Sequence, residues 1–549
     1  MGPSAPNAAD RYLTQACQIL VNHPSPAPNL WQHRHFCHFL NSVPAVKLPD
    51  LNSTMAADNS GPPDQGAPSS KEITAGNVQI HDGELTWTGS TPDVQLSIDN
   101  VLLVLPSASQ AQSFIICCLR ESSAESGPPF ELVLLKSDAV PDQLSQTHLV
   151  NKLPSHLRSD PGHQVDIIVS TNSGTGVASS FWGHVLQPLW KLVHEELGTP
   201  PTSSAPTTAS ETHENILITQ TADSVPEFAR RLWSSAPRSS HEAPKSRTVV
   251  LLSGDGGVVD ILNGRDDDIL RTPLPVLALL PLGTGNALFH SLHKPAYSSP
   301  GPSPLVLGLR TLFQGSPADL PVFRASFSPG SHIVPPGVAD DDDGQVADAA
   351  GTHPVSHLDG AIVASYGFHA SLVYESDTPA HRVHGAKRFA MVAQELLRES
   401  HPYTAHVEVR RPGSSELEAL PREEHAYVLT TMVSNLERAF TISPASRPLD
   451  GQLRTVHFGN IGGERAMEAM KAAYEGGKHV DVKWDDGERI YYEDVDEIRI
   501  TIKDESARWR KICVDGTTVG VPMGGHVVVK RVEKSPVQVL VNPSVLKGE

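Results

Sequence analysis

Short apolar runs broken by turn residues fill residues 76–136. The runs at 85–87, 101–105, 114–119 and 130–135 read as strands of a small β-rich module. From Gln164 the pattern changes to strands separated by amphipathic stretches. The run at 165–169 predicts a buried strand. A helix is predicted over 177–196, with Phe181, Val185, Leu189 and Leu192 on one face. A strand at 215–219, a helix over 225–233 and strands at 248–252 and 275–279 follow. Strands alternating with helices make a parallel sheet covered on both faces. Beyond residue 303 a helix over 304–313 leads into strand-rich sequence reaching 540, with helices over 384–398 and 464–474. The expected fold class is α/β: a Rossmann-like nucleotide-binding lobe with a parallel sheet, then a β-sandwich-like second lobe, with a small β-rich module in front.

Composition sharpens the domain limits. The chain has 549 residues, only 39% of them hydrophobic, with 46 prolines and 41 glycines, so part of it is expected to be linker. Residues 1–75, rich in Pro, Ser, Asn and Ala, are expected to be disordered. The β-rich module is set at 76–155 and compared by position with pleckstrin-homology-like modules. The nucleotide-binding lobe is set at 160–302, and the β-rich lobe at 303–545 with an acidic insert over 335–353. Low-complexity stretches at 198–210 and 234–246 read as exposed loops. A net charge of -19 argues against nucleic acid and against standing attraction to anionic membranes. Five cysteines without a CxxC pair point to a reducing, cytoplasmic setting. Met1-Gly2-Pro3-Ser4 has no secretory character, and no apolar run is long enough for a membrane-spanning helix. The patch around Trp31, His33, His35, Cys37 and His38 has no standard zinc spacing and reads as a short amphipathic helix. Asp340-Asp341-Asp342-Asp343 reads as a solvated loop.

Three glycine-rich turns follow three of the predicted strands: Asn172-Ser173-Gly174-Thr175-Gly176, Ser253-Gly254-Asp255-Gly256-Gly257, and Leu282-Gly283-Thr284-Gly285-Asn286-Ala287. Such turns bring bare backbone N–H groups up to phosphate. No Gly-Lys-Ser/Thr follows, so none is a Walker motif. One turn carries a carboxylate, which points to phosphoryl transfer. Asp255 among flexible glycines is placed to accept a proton; the alternative is an aspartate that caps a helix or closes a turn.

In order, these blocks resemble the catalytic domain shared by diacylglycerol, sphingosine and ceramide kinases. The resemblance continues through Leu262-Asn263-Gly264, Ser365-Tyr366-Gly367-Phe368, Glu375-Ser376, Arg382, Gly385, Arg388-Phe389 and Val514-Asp515-Gly516, so it spans about 165–540. It looks closest to the sphingosine/ceramide kinase branch. It implies an ATP- and Mg²⁺-dependent lipid kinase acting on a hydroxyl of a sphingolipid, with Asp255 as general base and Asp260 assisting. Asn172, Ser173, Gly174, Thr175, Gly176, Ser253, Gly254, Gly256, Gly257, Gly283, Thr284, Gly285 and Asn286 match nucleotide-binding turns. Thr219 and Asp223 match the adenosine side, Arg382 and Arg388 the phosphate-binding arginines, and Asp515 and Gly516 a returning strand. The lipid is expected near Phe368, Ser371, Val373 and Phe389. A diacylglycerol kinase, an NAD kinase-like enzyme and an inactive lipid-binding scaffold are the alternatives.

Four departures from the resemblance matter. No basic residue follows Gly176, where the run is Val177-Ala178-Ser179-Ser180. Thr517 replaces a glutamate after Asp515-Gly516, and Asp260 stands where glutamate is usual. The run His369-Ala370-Ser371-Leu372-Val373 has no carboxylate where sphingosine kinases carry one for an amine head group. That loss favours a neutral acceptor such as ceramide or diacylglycerol. The protein is expected in the cytoplasm, meeting its lipid by transient contact with intracellular membranes.

Overall fold

The computed structural model describes residues 70–89, 94–110, 112–122, 129–198, 215–234, 245–265, 272–335, 353–384 and 387–547. The Trp31 patch, the Asp340–Asp343 run, Gly385 and most of both low-complexity stretches lie outside the described residues.

The N-terminal module begins inside the stretch expected to be disordered. Strand β1 (Lys71–Thr74) pairs in parallel with β6 (Phe130–Ser137), and its Ile73 packs against the module's core. Between them come the hairpin β2 (Gly76–His81) and β3 (Glu84–Thr88), then β4 (Val101–Pro106) and β5 (Phe114–Glu121). The order in the sheet is β1-β6-β5-β4, with the hairpin separate. Both faces of this sheet are covered. Val104, Ile116, Cys118, Val133 and Leu135 meet Leu85 and Trp87, while Leu103, Leu105, Cys117, Leu119 and Leu132 share a core with the α/β lobe. That is why these strands read as unbroken apolar runs rather than alternating ones. Arg310 fastens the contact, its Nε donating to the Val101 carbonyl at 2.8 Å.

The α/β lobe follows the predicted order. It comprises β7 (His163–Val169), α1 (Ala178–Phe181), α2 (Gln187–Leu197), β8 (Asn215–Ile218), α3 (Ser224–Ser234), β9 (Ser246–Ser253), α4 (Gly256–Asn263), β10 (Val276–Pro281), α5 (Ala287–His293) and α6 (Pro304–Gln314). The helix expected over 177–196 widens in the middle. Gln187 N–H bonds to Trp182 O, five residues back, just ahead of Pro188, which has no N–H to continue the ladder.

The second lobe holds β12 to β22, introduced below, and two antiparallel sheets that share one apolar core. Strand β11 (Ser316–Asp319) precedes it. The first sheet carries β12 (Phe323–Phe327), β13 (His357–Gly360), β15 (Tyr403–Arg410), β19 (Glu497–Ile502) and β22 (His526–Arg531), in the order β13-β12-β22-β19-β15. The second carries β14 (Val363–Gly367), β16 (Tyr427–Thr431), β17 (Leu453–Phe458), β18 (Tyr491–Val495), β20 (Lys511–Val514) and β21 (Thr517–Gly520), in the order β21-β20-β14-β16-β17-β18. Two-residue strands extend the edges. Helices α7 (Phe368–Ser376), α8 (Pro379–Arg382), α9 (Lys387–Glu399) and α10 (Gly462–Tyr474) pack outside.

The chain then returns. Strand β23 (Gln538–Val541) pairs in parallel with β10 and antiparallel with β11, so the first lobe's sheet reads β11-β23-β10-β9-β7-β8. A division at residue 303 therefore cuts through one sheet. The lobes are also joined through Asn263 at the end of α4. Its Nδ2 donates to the Asp359 carbonyl at 2.9 Å and its Oδ1 accepts from the Asp359 N–H at 2.8 Å. Buried Asp359 in turn pairs with Arg265 at 2.9 Å and Arg324 at 2.7 Å.

Candidate active site

Strands β7, β9 and β10 lie side by side in parallel, so their C-terminal turns emerge together. The turns touch backbone to backbone. A methyl group at Gly174, whose φ is 57°, would lie 2.5 Å from the Leu282 carbonyl oxygen. One at Gly254 would lie 3.0 Å from the Gly283 Cα, and one at Gly283 would run into Gly254. Glycine is needed here because any side chain would force the turns apart.

Asn286 shapes the third turn from within. It takes a left-handed conformation, φ 53°; its Oδ1 accepts from the Gly283 N–H at 3.0 Å and its Nδ2 donates to the Gly283 carbonyl at 2.9 Å. The first turn is tied to the next strand's end: the Thr171 N–H donates to Thr219 Oγ1 at 3.0 Å. Thr219 is buried, whereas Asp223 is exposed at the start of α3. Buried Ser253 donates its hydroxyl to the Gly254 carbonyl at 3.0 Å. Among the described residues, the N–H groups of Thr284 and Gly285 meet no protein acceptor, the condition under which backbone amides serve an anion.

Asp255 opens α4 and reaches across to α5. Its Oδ2 accepts from the Ala287 N–H at 2.7 Å and its Oδ1 from the Leu288 N–H at 3.1 Å. The two amides do not exhaust the carboxylate, because each oxygen keeps a second lone pair. Burial pushes its pKa up to about 6, against the two hydrogen bonds that favour the ionised form. Burial likewise lifts Asp260, one turn along α4, to about 7.

Asp515, from the second lobe, sits within electrostatic range of Asp255, which adds to the burial that lifts it to about 7. Its carboxylate is spent on the polypeptide: it accepts from the N–H groups of Ala361, Ile362 and Val363 at 2.6 to 3.2 Å. It holds the turn into β14 beside Asp255. Among the described residues no group of three or more His, Cys, Asp or Glu side chains has the arrangement of a metal site.

The two arginines lie together on the second lobe but face a carboxylate. Arg382 binds Asp377 through Nε at 2.9 Å and Nη2 at 2.8 Å, and Arg388 approaches the same Asp377 at 3.7 Å. Arg388 also lies over the Phe389 ring, 4.9 Å from its centroid. A small apolar cavity of about 30 Å³, partly open to solvent, is lined by Phe368, Leu396, Leu397, Tyr427, Phe458 and Met470 among others. Ser371 is buried behind it and accepts from the hydroxyl of Tyr403, itself a lining residue, at 3.0 Å. Val373 and Phe389 are not among the lining residues.

Residues 165–309 match the diacylglycerol kinase catalytic domain. The α/β lobe is thereby identified as the catalytic domain of an ATP-dependent lipid kinase; the match stops short of the β-sandwich. No curated protein sequence matches the chain. Similar solved structures include a diacylglycerol kinase from Bacillus anthracis str. Sterne, 14% identical over 70% of this chain and 98% of that one, with a TM-score of 0.39. Another from the same organism, named for the same enzyme, is 15% identical over the same shares, with a TM-score of 0.42. No helix among the described residues is long and apolar enough to cross a membrane.

Ser291, Asn435, Leu436 and Tyr403 were not found by sequence reasoning. Ser291 lies inside a helix, Tyr403 opens an ordinary strand, and Asn435-Leu436 sits in a loop with no glycine signature.

Proposed function

We propose that the protein transfers the γ-phosphate of ATP to a hydroxyl of a neutral lipid, with Asp255 accepting the hydroxyl's proton. The observation that carries this reading is the placement of Asp255 in a glycine turn packed, like the first turn, against the third, its carboxylate held by two α5 amides. A pKa near 6 leaves it ionised at neutral pH yet basic enough to take a proton. The lipid oxygen bonds to the γ-phosphorus, the bond to the ADP oxygen breaks, and the proton passes to Asp255. The products are a lipid phosphate and ADP.

The packed glycines and the free Thr284 and Gly285 amides fit a triphosphate. Mg²⁺ bound to ATP supplies charge neutralisation; with few protein carboxylates available, most of its oxygens would come from phosphates and water. Asp260, half-buried on α4, is suited to hold a metal-bound water. Arg382 would meet a phosphate in competition with Asp377, whereas Arg388, 3.7 Å from that carboxylate, can offer an Nε that has no hydrogen-bond partner among the described residues.

The neutral-acceptor reading rests on the charges around α7. Ser371 offers a hydroxyl where an ammonium would need an acid, and Tyr403 occupies it. The two carboxylates next along the chain are taken: Glu375 pairs with Arg508 at 2.7 Å, and Asp377 with Arg382. Ceramide and diacylglycerol suit such a site better than a sphingoid base. The cavity beside Phe368 would take acyl chain, with the lipid drawn from a membrane surface by a protein of cytoplasmic location.

The test is transfer of labelled γ-phosphate from ATP·Mg²⁺ to sphingosine, dihydrosphingosine, ceramide, diacylglycerol and NAD, with Asp255→Asn alongside. A labelled neutral lipid that disappears in the variant is expected. A preference for sphingosine would refute the head-group argument, and an unimpaired variant would refute the base assignment.

A further inference from the structure

Helix α5 supplies both amides that hold Asp255, so whatever fixes α5 also fixes the base. One side chain on α5 makes a reciprocal contact with the second lobe. Ser291 Oγ accepts from the Asn435 N–H at 3.0 Å and donates to the Asn435 carbonyl at 3.1 Å. Both residues are buried. The Asn435 side chain then organises its own loop. Its Nδ2 reaches the carbonyls of Glu437 at 3.2 Å and Arg438 at 3.3 Å and Thr441 Oγ1 at 3.3 Å, while its Oδ1 accepts from Ser434 Oγ at 2.8 Å. The loop's next residue faces the catalytic turn. A methyl group at Gly285 would lie 3.7 Å from the Leu436 carbonyl oxygen and 3.8 Å from Asp255 Oδ2.

We propose that Ser291 and Asn435 form a positioning clamp. It sets α5, and through the Ala287 and Leu288 amides the Asp255 carboxylate, in register with the second lobe. Ser291 lies three residues beyond Leu288, so the clamp is about 4.5 Å along the helix from the second amide. Over so short a rigid span, a slip at the clamp is transmitted to the base. The lobe that holds the cavity and Asp515 thereby controls the aim of the carboxylate on the other lobe.

This inference rests on Asp255 being the base, and its tests separate the two. Weaker amide bonds stabilise the ionised carboxylate less, so the acid limb of the kcat profile should move to higher pH. The groups around Asp255 that also titrate or carry charge are Asp260 on α4, His290 and His293 on α5, Asp515 on the second lobe, and Glu437 and Arg438 on the loop. His290 and His293 are kept neutral by burial, each drawn down to about 4. Asp515 is the neighbour whose charge is coupled to Asp255.

Ser291→Ala removes the clamp while leaving the Asn435 side chain and its own hydrogen bonds in place, and Ser291→Thr retains the hydroxyl. For Ser291→Ala we expect kcat to fall about tenfold, as a misaimed group costs, with KM for ATP unchanged and the acid limb raised; Ser291→Thr should restore both. Amide exchange at Ala287 and Leu288 should accelerate in Ser291→Ala and in Asn435→Ser, a readout that needs no turnover. Unchanged amide exchange in a folded Ser291→Ala or Asn435→Ser protein would overturn the clamp. So would an unmoved acid limb in Ser291→Ala while Asp255→Asn is inactive. Should Asp255→Asn remain active, the base assignment fails and amide exchange alone decides the clamp.

Discussion

Replacing Asp255 by asparagine should abolish turnover and also stabilise the fold at alkaline pH. The carboxyl's folded value, about 6, stands about two pH units above the ordinary 3.8. A raised folded value means that ionisation opposes folding. The penalty is absent below pH 3.8, grows between there and about 6, and is complete above that. At about 1.4 kcal/mol per unit it amounts to roughly 3 kcal/mol at pH 8. Asparagine removes the charge but keeps only one acceptor oxygen, so either the Ala287 or the Leu288 amide loses its partner. That loss costs about 1–2 kcal/mol, leaving a net gain of about 1–2 kcal/mol at pH 8 and a net loss near pH 4. A thermal-shift series across pH, read with labelled-phosphate transfer, tests this. We expect an inactive variant whose melting temperature exceeds that of the unaltered protein at pH 8 by a few degrees, with the difference shrinking on acidification. An inactive variant that melts lower at every pH, by a constant amount, would refute the buried-charge reasoning while leaving the base assignment standing.

Gly283→Ala should drive the second and third turns apart, since its Cβ would meet Gly254; we expect at least about a tenfold loss of affinity for a fluorescent ATP analogue, consistent with overpacking costs. An unchanged affinity would detach these turns from nucleotide binding. Ser371→Asp should raise kcat/KM for sphingosine relative to ceramide by about tenfold, the worth of one charge-assisted hydrogen bond; an unchanged ratio would place the head group elsewhere. Tyr366→Phe removes the hydroxyl that donates to buried Asp504 at 2.6 Å, leaving His401 and the Thr404 amide as its partners. A loss of about 1–2 kcal/mol in denaturant stability is expected.

Local signals found most of the framework. The strands of the α/β lobe and the three glycine turns were legible because period, turn chemistry and motif coincide in one short segment. Beyond that, distant segments decide what no local pattern carries. The module's apolar runs looked like independent strands, yet one face of the sheet is closed by the α/β lobe. Strand β23 looked like part of the second lobe, yet it pairs with β10, whose sequence lies over 250 residues earlier. Arg382 and Arg388 match phosphate ligands by motif, and the structure adds that Asp377 stands beside both. Asp515 matched a nucleotide-facing position, yet its oxygens are taken by three amides.

These additions share one physical origin. A motif states which residues can meet an anion, whereas a protein's own amides and carboxylates compete for the same hydrogen bonds. Asp255 is the informative case, because the capping role seen in the structure is compatible with the proposed base. It caps α5, and the capping amides are the means by which its carboxylate is aimed and kept ionisable despite burial. The residues that tune it, Ser291 and Asn435, are 144 positions apart. Nothing in either segment marks them as partners; only the folded contact does. Local pattern thus points to the proposed base, while the second lobe, through that contact, touches the helix whose amides hold it.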